Sequence, residues 1–472
     1  MLFTSLEFII LALLTFGLYY LPMLRRWQIP ILIASSLTFY AYNQLNLLWL
    51  LLVSVSINII ASYYIVYGSP AWQKPVATWG VVSNLVILCF FKYSPLLART
   101  FLPSEAGIGA WLISLPLPIG ISFFTFQGIS LVADTYRGRH VDAYRSLIAR
   151  NLVKHAQTVL FFKSFFPQLV SGPIVKAHDF LPQIRSKYLR DIRWEYCFRA
   201  LILGYFLKTV VADNLKDHTF TITYPYFENI SSLTLIVLLF GYSMQIFADF
   251  AGYSLIALGL AALFGYQFPV NFNFPYVSSS FSDFWRRWHI SLSSFLREYL
   301  YIPLGGNRYG TTRTYVNLLL TMVLGGLWHG AAWSYAIWGF VHGLALATER
   351  FLTDKGWLIM RSGTAQLLKS VGVFCFVTLA WLLFKLPNFS HVLAYCRAIA
   401  ANMNKPNDSL TISLILVYSL PVVAYHLHYL LGDRLPSIRL TWSRWEFVSY
   451  GLMIFMILTN SGSEGTFIYF QF

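Results

Sequence analysis

Charge is scarce in this chain, and negative charge is scarcer still. Only 11% of the 472 residues are Asp, Glu, Lys or Arg, and 19 acids face 34 bases. A soluble domain carries about twice that fraction of charge, so a water-exposed globular fold is excluded. Hydrophobic residues make up 57% of the chain and aromatics 18%, in apolar runs from end to end. The pattern is that of an all-α polytopic membrane protein. The net charge of +15 then calls for no nucleic acid, because the basic residues sit in short loops, where they set membrane topology. Cysteine is equally thin. Cys89, Cys197, Cys375 and Cys396 lie far apart without ligand-like spacing, which argues against a disulfide framework and against a zinc or other metal site.

Missing motifs narrow the chemistry. There is no GxxxxGK[ST] loop for ATP, no HExxH and no GxSxG serine elbow. His426 and His428, the one close histidine pair, are spaced wrongly for a shared helical face. No second domain, low-complexity tract or internal repeat is visible, so residues 1–472 read as one integral-membrane domain. The lack of a repeat also argues against a secondary transporter.

Apolar runs place spans near 2–23, 28–43, 46–67 and 77–97, then an interrupted segment at 107–133 broken by PLPIG at 116–120. Arg25 and Arg26 put the end of the first span in the cytoplasm and the N-terminus outside. Residues 156–173 lie between basic stretches and read as re-entrant, and 200–212 is short for a span. Two spans are expected within 230–265, one at 315–334, and others at 365–386, 411–431 and 447–459. The total is about eleven, with re-entrant and interfacial helices besides and an interfacial aromatic terminus, FIYFQF.

The block from Phe281 to Gly343 holds three histidines amid arginines and acids. Ionisable groups are costly in a bilayer, and they face a cavity or each other. Taken as one helix from a Ser280 cap to the Pro303-Gly305-Gly306 end, residues 284–299 carry an aromatic arc and a cationic face, with His289 at the seam. Asp283 precedes Arg287 by four residues, the favourable spacing for an ion pair. The arginines fit two roles, snorkelling to lipid headgroups or binding an anionic ligand. In GGLWHGA, His329 is the only ionisable side chain of its span. It stands beside Trp328, where Gly325, Gly326 and Gly330 let a helix or a substrate approach closely. Asp249 orients a group in the site or pairs with an arginine. A neutral imidazole near a membrane cavity suits proton removal from a hydroxyl, with donor phosphates met by Arg286, Arg297, Arg308 or Arg313. Spacing alone leaves two classes open, an acyltransferase and a transporter or channel for a polar solute.

The motifs DFWRRWHISLS at 283–293, REYLYIPLGGNR at 297–308 and GLWHGA at 326–331 resemble the membrane-bound O-acyltransferase (MBOAT) superfamily. So do FPVNFNFPY at 268–276, FADFAGYS at 247–254 and PIGISFFTFQ at 118–127 (motif core 247–343). The bacterial branch containing the membrane subunit of alginate O-acetyltransferase fits best. The resemblance implies a ring of helices around a central funnel and tunnel, with His329 catalytic and His289 the second family histidine. It also implies an acyl group, commonly acetyl from acetyl-CoA, passing from a cytoplasmic thioester through the bacterial inner membrane to an extracytoplasmic SGNH-type partner that modifies a polysaccharide. No bound cofactor is implied. Leu255 after Ser254 departs from the alginate-type pattern and is closer to relatives that move D-alanine from a carrier protein toward teichoic acid, the alternative reaction.

Overall fold

A computed structural model describes all residues except 104–106, 170–171, 358–362, 433–435, 464 and 466–472. The terminal FIYFQF therefore lies outside the described residues. Helix is the only regular structure among the described residues. By length and hydropathy five of these helices can cross a membrane, or six if the first two, bent by 104° at a short break, form one span. The chain groups into two compact units, Met1–Leu201 with Ile256–Pro269, and Ile202–Leu255 with Val270–Phe472.

The first unit contains α1 (Leu6–Tyr20), α2 (Gln28–Gln44), α3 (Leu48–Tyr67), α4 (Pro70–Phe101), α5 (Ile121–Gly138) and α6 (Leu152–Ser164). Ser5 caps α1 by accepting from the Phe8 amide, and Pro70 starts α4, where its missing N–H costs nothing. The expected interruption at PLPIG is present, and α5 begins after Gly120 at φ 73°, a left-handed conformation that glycine adopts freely. At 13 residues, α6 is about 20 Å long, too short to cross a core of about 30 Å. That length fits the re-entrant reading. One polar cluster lies inside the otherwise apolar interior of the unit: the Lys163 ammonium donates to Ser54 Oγ at 2.6 Å, and Ser54 donates to Asn84 Oδ1 at 2.8 Å. Asn84 and Asn58 then bond each other through their amides. Such a network is tolerated in apolar surroundings because its members satisfy one another.

In the basic stretch 174–199, His178 Nδ1 lies 2.8 Å from Asp134 Oδ2. That hydrogen bond raises the His178 pKa above its ordinary value, overcoming the opposing effect of burial. A histidine raised in the folded state contributes stability fully below its unfolded value, and the contribution fades as pH rises through the folded value. The melting-temperature gap between the wild-type protein and His178→Gln is therefore expected to be widest near about pH 5.5 and to narrow by about pH 8.5. A gap that is flat across this range contradicts the pairing.

The helical run opened by α7 (Trp194–Tyr205) continues through a π-helical turn, Phe206–Ala212, to Thr219, which explains why 200–212 looks too short alone. Where two spans were expected within 230–265 there is a single helix of 32 residues, α8 (Ser232–Leu263), and 89% of its most apolar window is buried in the protein. Glycines at 241, 252 and 259 do not stop it, because each meets a packed neighbour within 3 Å of where a Cβ would stand. In the second unit follow α9 (Phe281–Arg287), α10 (Ile290–Leu296), α11 (Gly310–His329), α12 (Trp333–Asp354), α13 (Gly363–Lys385) and α14 (Ser409–Gly432). The run expected as one span over 315–334 instead ends at His329, and extended backbone at Gly330 and Ala332 turns the chain into α12.

Candidate active site

The break after α11 positions His329. As the last residue of its helix it is 4% exposed, with the rings of Trp338 and Phe384 set edge-on at 5.3 and 5.2 Å. Trp328 lies beside it at 5.0 Å. The flanking glycines serve helix packing, Gly325 against Leu296 of α10 and Gly326 and Gly330 against α12. A Cβ at Gly326 would stand 2.2 Å from the Tyr335 carbonyl oxygen and 3.0 Å from Gly339. The close approach that the glycines allow is thus taken by a helix.

His289 is fully buried, its ring 6.2 Å from that of His329 and 5.7 Å from that of Trp328. Phe250 of α8 meets it edge-on at 4.6 Å. The two histidines, 40 positions apart in sequence, thus share one aromatic enclosure. The amphipathic helix expected over 284–299 is not continuous. It breaks between α9 and α10, and His289 sits in the gap at φ 43°, a left-handed conformation that is strained for a residue with a side chain.

Asn271 makes that conformation persist. Its carbonyl accepts from the Ile290 amide at 2.9 Å, and its Oδ1 accepts from Ser291 Oγ at 2.6 Å and from the Ser291 amide at 3.4 Å. Its Nδ2 donates to Ser254 Oγ of α8 at 3.0 Å. All three side chains are at most 3% exposed. One asparagine therefore ties the residues after His289 to the helix that carries Phe250. In the sequence Asn271 stands inside FPVNFNFPY with nothing nearby that gives it a role. Its signal was a buried-type polar residue in an aromatic stretch, but its partner is 20 positions away.

Other expectations about α9 and α10 resolve individually. Ser280 caps α9 by accepting from the Asp283 amide, and Asp283 accepts from Arg287 Nε at 2.9 Å. Asp283 is thus engaged by an arginine on its own helix. Asp249 pairs with a lysine. It faces Lys208, whose ammonium lies 2.9 Å from Asp249 Oδ1 and 2.6 Å from Asp213 Oδ1, with all three groups buried. The next residue, Phe250, points to His289, since neighbours on a helix diverge by about 100°.

The four arginines do not converge. Arg286 lines a cavity of about 1220 Å³ together with Phe281, Glu349, Arg350, Lys369 and Phe376. Arg297 and Arg308 line a separate pocket of about 260 Å³ with Tyr301 and Asn307, whereas Arg313 is exposed on α11 and lines neither. Among the described residues no cluster of His, Cys, Asp or Glu could hold a metal ion.

The family model of MBOAT, the membrane-bound O-acyltransferase family, matches residues 112–386. The chain is 37% identical over 398 residues to "Probable alginate O-acetylase AlgI" of Azotobacter vinelandii, covering 82% of this chain and 76% of the relative. It is 31% identical over 485 residues to "Peptidoglycan O-acetyltransferase" of Helicobacter pylori, covering 93% and 91% respectively. With "Teichoic acid D-alanyltransferase" of Bacillus subtilis it shares 27% identity over 349 residues, 71% of this chain and 83% of that one. These similarities extend through the segments that carry both histidines.

Proposed function

This chain belongs to the membrane-bound O-acyltransferase family and is a multi-pass membrane acyltransferase, and on that premise we propose that it moves an acetyl group from a cytoplasmic thioester to a hydroxyl beyond the membrane, for O-acetylation of an extracytoplasmic polysaccharide. The family and the named relatives are acyltransferases, which favours the enzyme over the transporter reading. One observation carries the proposal: the two buried histidines, 6.2 Å apart, share an aromatic enclosure, where a reacting group is shielded from water.

In this reading His329 takes the proton from the attacking hydroxyl while the oxygen adds to the thioester carbonyl carbon. The carbon–sulfur bond then breaks, and the thiolate leaves with the proton from the imidazolium. Acyl moves from sulfur to oxygen and a proton moves from oxygen to sulfur, so the step balances. The carbonyls that end α11 place negative partial charge where the ring becomes cationic. The acceptor hydroxyl belongs to the polymer or to an SGNH-type partner, the membrane is the bacterial inner membrane, and the N-terminus lies outside. Some crossings in this scheme, about eleven in all, are short or broken helices grouped around a funnel and tunnel.

The cavity at Arg286 is the donor site in this scheme. Its volume suits a nucleotide-sized ligand with a flexible arm, whereas the pocket at Arg297 and Arg308, about 260 Å³, falls below the usual range for ligand sites. Arg286→Ala is expected to raise the apparent donor KM about tenfold with kcat and melting temperature unchanged, because a charge-assisted hydrogen bond to phosphate is lost. The same change at Arg297 should do less. An unaltered donor KM in Arg286→Ala returns this arginine to lipid anchoring.

D-alanyl transfer is the second reading, favoured by Leu255 and by the likeness to the teichoic acid enzyme. Mass spectrometry of the cell-surface polymers from a deletion strain separates the two by the mass that disappears.

A further inference from the structure

Between the cavity at Arg286 and the enclosure of His329 stands a group of rings that reaches from one to the other. Phe281 and Phe376 line the cavity and touch at 4.7 Å. Behind Phe376, at 5.5 Å, is His342, and behind His342, at 4.7 Å, is Trp338. Trp338 in turn meets His329 at 5.3 Å. Trp285 completes the group, 5.3 Å from His342 and 5.7 Å from Trp338. The side chains of α12 divide accordingly, with Val341, Leu344 and Ala345 lining the cavity while Trp338 and His342 are buried.

These rings would be a plain hydrophobic wall but for their polar atoms. His342 is fully buried and Trp338 is 1% exposed. Neither ring nitrogen of His342 has a hydrogen-bond partner among the described residues, nor does the indole N–H of Trp285 or Trp338. Buried polar atoms are nearly always bonded, so several unmet in one place call for a ligand. Indole N–H groups only donate, and imidazole both donates and accepts. The complementary ligand is therefore rich in carbonyl oxygens and carries an N–H or two. It must also be slender enough to pass between Phe281 and Phe376.

We propose that Trp285, Trp338 and His342 form the contact site for the amide-bearing arm of the thioester donor, holding it between the cavity and His329. Coenzyme A and an acyl carrier protein both present such an arm, a flexible chain with two amides that ends in the thioester. The inference rests on the reading of the Arg286 cavity as the donor site, and it adds three residues to that reading. Phe281 and Phe376 part to admit the arm. Its amide carbonyls then accept from the two indoles, and His342 bonds whichever amide group it meets. The thioester is delivered to the His289–His329 enclosure.

The test is calorimetric titration of the purified full-length protein with acetyl-CoA, with acetyl-pantetheine (the arm alone), with adenosine 3′,5′-bisphosphate (the nucleotide without the arm) and with an acetylated carrier protein. His342→Phe keeps the ring and removes both nitrogens, and Trp338→Phe removes one N–H. Each should weaken the arm-bearing probes about five- to tenfold, the worth of one or two hydrogen bonds, and leave the bisphosphate unchanged. His342→Gln, which can both donate and accept, should recover most of the loss. Preference for acetyl-CoA or for the carrier protein identifies the source of the arm and supports the site either way. If the wild type binds the arm and His342→Phe binds it equally well, this inference is overturned and the donor reading stands. If the wild type binds none of the four probes, both fall together.

Discussion

Replacing His329 with alanine leaves a folded, membrane-inserted protein whose acyl transfer is lost. The folding half of this expectation follows from where the ring sits. His329 ends α11, and α11 packs on α12 through Gly326 and Gly339, contacts that the substitution does not touch. A cavity opens where the imidazole was, but Trp328, Trp338 and Phe384 around it are held by other neighbours. The activity half follows from chemistry. Without a base the hydroxyl must lose its proton to water in an enclosure that excludes water, and general base catalysis alone is worth roughly a hundred- to ten-thousandfold. The measurement is acetyl content of the surface polysaccharide, together with membrane abundance of the variant. Transfer that persists within about tenfold of wild type would remove His329 from the catalytic role.

The second large effect is expected at Asn271. Asn271→Leu keeps about the same volume but leaves Ser254, Ser291 and the Ile290–Ser291 turn without their side-chain tie. The left-handed backbone at His289 costs roughly 1–3 kcal/mol and persists only where its surroundings enforce it. Once released, the chain can regularise the break between α9 and α10 toward continuous helix, rotating His289 away from His329. A displacement of about 1 Å in a catalytic group costs on the order of a hundredfold in rate. We therefore expect kcat to fall by about ten- to a hundredfold at temperatures where the variant is folded, with donor KM unchanged. Asn271→Asp should restore much of the rate, because a carboxylate still accepts from Ser291 while Ser254 can donate to it. A lowered melting temperature with normal kcat would make Asn271 a structural residue only.

Much of the enzyme was legible in the sequence because lipid imposes simple rules. An ionisable residue in an apolar run is an exception that demands a cause, and that rule drew attention to the block holding His289 and His329, whose roles the resemblance then implied. Local rules served equally well. Ser280 caps its helix, Asp283 meets Arg287 four residues on, and PLPIG interrupts the helix at Gly120. Each depends on atoms within a few residues of one another. The same local reasoning failed where distant residues intervene. Periodicity made one helix of 284–299, because the hydrogen bonds that break it come from Asn271, outside the window. It divided 230–265 into two spans, because length suits two passes when burial inside the protein is not visible. Asp249 could be listed as an acid but not matched to Lys208, which lies 41 positions earlier on a π-helical turn.

The chain's composition and short-range patterns determined on their own that this is a helical membrane protein, where a local cap or a proline–glycine break bounds a helix, and which imidazoles sit where lipid cannot explain them. Only the tertiary structure decided that His289 faces His329, that a single asparagine holds it in a left-handed turn, and that Arg286 and Arg297 serve different cavities. It alone gathered Trp285, Trp338 and His342, residues that look like ordinary helix packing one at a time. The division has a physical cause: transfer from water and helix geometry act on each residue with its near neighbours, whereas the facing of two side chains depends on the packing of several helices at once.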